Sequence, residues 1–120
     1  MGVGEKVGRM NRRTIYIAGP MRGINEGNRE AFDLAARRLS IEGWHAINPV
    51  RIGEALGLHP EPETPKVLDA CMEAELATIP HLDAIYLLHG WERSAGARKE
   101  LLVALQHKLM VFVEGGAAAE

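Results

Sequence analysis

An α/β fold with a parallel sheet is predicted from three features of the chain. Four short apolar runs, at 14–18, 44–48, 83–88 and 109–113, read as strands. Segments with apolar residues at helical spacing separate them. Gly and Pro fall at the junctions between the two kinds of segment. Strands alternating with helices require right-handed crossovers and hence parallel pairing. The expected architecture is a small Rossmann-like or flavodoxin-like sheet of about four strands with flanking helices, in the order 2-1-3-4.

Each element has its own signal. Residues 1–13 are rich in Gly and charge and are expected to be flexible; 14–114 form a single domain. The run Thr14-Ile15-Tyr16-Ile17-Ala18 is the first strand, broken by the loop Gly19-Pro20-Met21-Arg22-Gly23. A helix over 28–42 follows, with Phe32, Ala35, Ala36 and Leu39 on one face and Gly43 at its end. The second strand covers 44–48 and closes at Pro49. Residues 50–65 hold three of the six prolines and two glycines, which predicts an irregular excursion. The second helix covers 65–79, the third strand 83–88, the third helix 94–107 and the last strand 109–113. Residues 115–120 are expected to be a flexible tail.

Bulk properties narrow the function. The 120 residues suffice for one core. With a net charge of −2 and no basic run, nucleic-acid binding through a positive surface is not expected. No apolar run approaches the roughly 20 residues that span a bilayer. The first 13 residues lack the apolar core of a signal peptide, so a cytoplasmic protein is expected. Cys71 stands alone, which excludes an internal disulfide framework and a Cys-based zinc site; its apolar neighbours predict a core thiol. The histidines at 45, 59, 81, 89 and 107 show no metal-ligand spacing, and His89 alone ends a strand where it could line a pocket.

The richest segment runs from Asp83 to Glu100: a buried strand, a loop containing Gly90, and the opening turns of a helix. In a parallel sheet that junction lies at the carboxyl ends of the strands, where ligands bind. Ser94 is a good N-cap, and the free N–H groups behind it attract anions. Glu100 interrupts the stripe Ala97, Leu101, Ala104 and Leu105, expected to be buried. Glu75 interrupts a second stripe formed by Leu68, Cys71, Met72, Leu76 and Ile79. Two acids on inward helix faces are costly unless paired. Either could instead reach water at the stripe edge or pair with an arginine. Tyr16 could be simple packing, yet a buried phenol needs a partner, and a carboxylate of the third helix would serve. The first loop lacks the Gly-x-Gly-x-x-Gly spacing, so NAD is not expected; Arg22 suits a phosphate or a carboxylate. Trp91 lies in the expected site loop and is open to a packing reading as well.

These segments together resemble the nucleoside 2-deoxyribosyltransferase superfamily, and within it the small DUF4406 group. The likeness rests on Ile15 to Gly23, on Ala31-Phe32 with Gly43 and Asn48-Pro49, on Asp83 to Leu88 with Gly90-Trp91-Glu92, and on Ser94-Ala95-Gly96-Ala97 with Glu100. The superfamily cleaves the N-glycosidic bond of nucleosides or their 5′-monophosphates. The resemblance implies that Glu100 is the nucleophile and that Tyr16 holds it. It further implies that Ser94 and Gly96, with the loop Gly19, Pro20, Met21, Arg22 and Gly23, surround a 5′-phosphate, and that Asn48 and Trp91 belong to the substrate pocket. A middle-helix aspartate assists at the base or sugar in the superfamily; here Glu75 stands eight residues before Asp83 in its place. His89 replaces a usual proline of the small branch. The implied partner is a small nucleoside or nucleotide, the implied assembly a homo-oligomer, with no cofactor and no metal. A non-catalytic nucleotide-sensing module is the rival reading. The chemistry stands without the family: a carboxylate beside an anomeric carbon stabilises an oxocarbenium-like state, and a second acid protonates the leaving base.

Overall fold

The computed structural model describes residues 13–21, 24–55 and 65–115. The flexible start over 1–12, the loop residues Arg22 and Gly23, the stretch 56–64 and the tail 116–120 lie outside the described residues, as does the side chain of Leu68.

The chain runs β1 (Arg13–Ala18), a 3-10 turn (Asn25–Asn28), α1 (Arg29–Ile41), β2 (Trp44–Ile47) and α2 (Pro49–Ala55). It continues through α3 (Pro65–Thr78), a 3-10 turn (Ile79–His81), β3 (Ala84–Leu87), a 3-10 turn (Trp91–Arg93), α4 (Ala95–Gln106) and β4 (Met110–Val113). The sheet order is β2-β1-β3-β4, and each neighbouring pair is parallel, as the alternation of strands and helices required. The order reverses between β1 and β3, so the loops after these two strands meet. Leu88 N donates to Ala18 O at 2.8 Å, and a Cβ on Gly19 would stand only 2.7 Å from Leu88 Cβ.

Strand alternation divides the core into two layers. Tyr16, Ala18, Ile85 and Leu87 face one side and pack with Ala97 and Ala104 of α4 and with Ile79. Ile15, Ile17, Ala84 and Leu88 pack on the other side with Phe32, Ala35 and Leu39 of α1. Both faces of β1 and β3 are buried, which explains their near-continuous apolar sequences. On the α1 side Trp44 of β2 meets Phe112 of β4 edge to face, with ring centroids 5.6 Å apart. At the amino end of the sheet Thr14 N and Thr14 Oγ1 both donate to Asp83 Oδ2 at 2.9 Å.

Four expectations need correction. Residues 49–55, read as the close of a strand and the start of an irregular stretch, form α2. Asn48 Oδ1 accepts from Val50 N at 3.0 Å, and Pro49 occupies the first helical position, where its missing N–H costs nothing. Arg13 belongs to β1, one residue before the expected domain start. Leu105 is exposed, not part of the buried stripe of α4. At about 100° per residue it falls on the rim of a face centred between Ala97, Glu100 and Ala104. Cys71 is half-buried, because the inward side of α3 centres one turn later, on Glu75.

Candidate functional site

The two acids and the tyrosine singled out from the sequence come together. Tyr16 Oη donates to Glu100 Oε2 at 2.8 Å. Tyr16 is fully buried, and Glu75 and Glu100 are each only 5% exposed. Glu75, on α3, neighbours both Glu100 and Tyr16 closely enough to act on their titration. The topology makes this meeting. The side chain of Tyr16 points to the face of β1 that α3 and α4 cover, and each helix turns one acid into that layer.

The electrostatics follow from burial. It pushes the Glu100 carboxyl well above its ordinary value, and the neighbouring Glu75 adds to the rise through its hydrogen bond and charge; Tyr16 opposes it. Burial likewise raises Glu75, against the hydrogen bonds of Glu100 and Tyr16. The Tyr16 phenol is pushed well above its ordinary value by burial first, then by the charges of Glu100 and Glu75. No cation figures among the groups that shift these three. With no cation beside them among the described residues, two adjacent buried carboxyls favour sharing one proton. One site thus offers a carboxylate and a carboxylic acid side by side, the two forms that N-glycosidic cleavage uses.

The head of α4 is built as its sequence indicated. Ser94 has extended backbone, and its Oγ accepts from Ala97 N at 3.1 Å. Gly96 lies one turn before Glu100 and faces α3: a Cβ there would stand 2.9 Å from Met72 Cε. Trp91 is half-buried against the layer that contains Tyr16. Gly19 and Pro20 lie over the start of the β3–α4 loop, with Pro20 Cγ 3.5 Å from where a Cβ of Gly90 would be.

Two other expected pocket residues point elsewhere. Met21 packs on the α1 side of the sheet. Asn48 is buried, and both polar atoms of its side chain serve the fold: Oδ1 caps α2, while Nδ2 donates to Asp33 Oδ1 of α1 at 2.8 Å. Asp33 also faces Arg51 at 3.4 Å and Arg29 at 3.9 Å.

A cleft of about 440 Å³ opens at the same carboxyl edge of the sheet; of its lining, the sequence singles out Pro20, His89 and Gly90. Ile24, Asn28 and Ala31 form its α1 wall; Arg93 and Glu114 supply its charges. It does not include Tyr16, Glu75 or Glu100. Pro20 and Gly90 line the cleft, which lies on the α1 side of the sheet, while the acid pair lies on the α3–α4 side. The turn residues Gly27 and Asn28, both at positive φ, were the local sign of a structured entry to α1.

Among the described residues no helix is long and apolar enough to cross a membrane. No curated protein matches the chain. A family described as a domain of unknown function (DUF4406) matches residues 13–113, from the first residue of β1 to the last of β4. The chain belongs to the DUF4406 family.

Proposed function

We propose that the protein cleaves the N-glycosidic bond of a nucleoside 5′-monophosphate or nucleoside, with Glu100 as nucleophile. The observation that carries this reading is the buried hydrogen bond from Tyr16 to Glu100 beside a second buried acid, Glu75. Burying two carboxyls on neighbouring helices, with no cation beside them among the described residues, costs several kcal/mol of stability, and catalysis explains why the fold bears it. The resemblance to the 2-deoxyribosyltransferase superfamily supports the same assignment.

The chemistry balances within these groups. The bond between the anomeric carbon and the base nitrogen breaks, and its electron pair goes to the base. The proton held by the Glu75–Glu100 pair moves to that nitrogen. The Glu100 carboxylate, now fully charged, bonds to the anomeric carbon or shields its positive charge. Tyr16 orients the carboxylate through Oε2. Water then attacks the anomeric carbon, any bond to Glu100 breaks with its electron pair returning to the carboxylate, and the water's proton goes back to the pair, completing hydrolysis; a second base in its place completes transfer. Ser94 and the N–H groups at the head of α4 receive the phosphate. A small-molecule substrate and a homo-oligomeric assembly accompany this reading.

The test is a panel of nucleosides and 5′-monophosphates incubated with the protein and assayed for free base by chromatography. Glu100→Gln keeps the size of the side chain and removes the nucleophile; base release should fall by at least about a hundredfold, with circular dichroism unchanged. The low exposure of Glu100 favours one rival, a sensing module that binds nucleotides without turnover. Binding across the panel with no base released from any member would establish the rival.

A further inference from the structure

We propose that the cleft on the α1 side of the sheet is a second ligand site, which takes a nucleotide whose base presents adjacent N–H donors. Its volume, about 440 Å³, falls within the range of small-molecule pockets. It lies outside the carboxyl ends of parallel strands beside a topological switch point, the position where open α/β sheets bind ligands. Tyr16, Glu75 and Glu100 are not part of its lining and belong to the opposite face of the sheet, so its occupant is not set against Glu100.

The lining specifies the ligand. Arg93 is exposed on the turn before α4, and its guanidinium lies over Gly90: a Cβ there would stand 3.3 Å from Arg93 Nη2. Gly90 also has φ +88, which glycine adopts without strain. Arg93 makes no ion pair or hydrogen bond among the described residues, so its fork is open to an anion, and a phosphate matches it in two bonds. Glu114 is the cleft's acid. His89 N donates to its Oε1 at 2.7 Å, which fixes the carboxylate and leaves Oε2 without a partner among the described residues. A fixed carboxylate accepts from a base edge with neighbouring N–H groups. Ile24, 41% exposed, and Ala31 give the apolar surface on which a planar base can rest. A cation for an anion, a carboxylate for N–H donors and an apolar wall for a flat ring, all in one cleft, describe a guanine-type nucleotide better than a free phosphate or a nucleoside.

Backbone amide NMR on the Glu100→Gln full-length protein tests this without turnover, with GMP as the probe. GMP should shift the amides of Ala31, Leu88 and His89. Arg93→Ala and Glu114→Gln should each weaken that response about tenfold, while Ser94→Ala leaves it in place. AMP, which lacks the paired N–H edge, and guanosine, which lacks the phosphate, should bind at least about tenfold more weakly. Equal shifts with inorganic phosphate alone would reduce the cleft to an anion site and overturn the proposal. Shifts confined to the neighbourhood of Trp91 and Gly96, or an Arg93→Ala protein with unchanged affinity at Ala31 and Leu88, would overturn it too. Loss of base release in the nucleotide panel has no bearing on these outcomes, because Glu100 is absent from the site tested.

Discussion

Tyr16 and Glu100 stand 84 positions apart in the chain and 2.8 Å apart in the fold. The hydroxyl belongs to the central strand and the carboxylate to the helix that follows the other central strand, so their contact depends on the β1–β3 pairing. Tyr16→Phe keeps the ring and removes the donor. A hydrogen bond to a charged group is worth about 1.5–3 kcal/mol, so base release should slow by roughly ten- to a hundredfold. Thermal melts should show a folded protein, since the ring still fills its place. A rate equal to wild type would take Tyr16 out of the reaction.

The acid pair gives stability a definite dependence on pH. Burial raises both carboxyls above their ordinary value of 4.5 in the folded protein. A raised pKa means that the folded state binds protons more tightly than the unfolded one. The stabilising contribution is therefore fully present below the unfolded pKa and is lost as pH rises through the folded values. Melting temperature measured from about pH 4 to pH 8 should fall more steeply for wild type than for Glu100→Gln, which buries one carboxyl fewer. Surface carboxylates are common to both proteins and cancel in the comparison. Parallel curves would mean that the pair is not proton-linked to folding.

Two glycines at the site should respond differently to alanine. At Gly19 the new methyl meets Leu88 Cβ at 2.7 Å and Cδ1 at 2.8 Å, across the β1–β3 seam. Neither strand can withdraw freely, so Gly19→Ala should cost ~1–3 kcal/mol by denaturant unfolding. At Gly96 the neighbour is Met72 Cε, the far end of a flexible side chain, at 2.9 Å. Alanine also has the better helix propensity, so Gly96→Ala should change stability by less than ~1 kcal/mol. Its effect should fall on nucleotide binding, at the head of α4. Equal destabilisation by both would contradict the packing described here.

Asn48→Ala separates fold from chemistry. It removes the cap of α2 and the link to Asp33, and should cost ~1–2 kcal/mol. The base-release rate of the folded fraction should stay near wild type. A large loss of rate with little loss of stability would return Asn48 to the substrate pocket.

The acid pair was legible in the sequence because a carboxylate on an apolar helical stripe is a conflict that local structure does not resolve. Glu75 and Glu100 each showed that conflict, and Tyr16 showed a strand phenol in need of a partner. The order of the strands was legible for the same physical reason: parallel neighbours need helical crossovers of one hand. Helix α2 was missed because Asn48-Pro49 carries two meanings. Proline ends a strand, but asparagine followed by proline is also the cap and first residue of a helix, and tertiary contact with Asp33 decides between them. Most of the cleft left no local sign beyond Pro20, His89 and Gly90. Ile24, Leu88, Arg93 and Glu114 come from separate segments, and only the folded sheet edge assembles them.

The contact between Trp44 and Phe112 bears on how this small sheet opens. The two rings sit on its outermost strands, which share no hydrogen bonds with each other. In most open sheets an edge strand can fray while the opposite edge stays in place. Here the departure of β4 strips an aromatic neighbour from β2, and the reverse holds as well. The margins of the sheet therefore loosen together. The two rings meet on the α1 face of the sheet, opposite the face that carries the Tyr16 hydroxyl, and tie the margins on either side of the central strands.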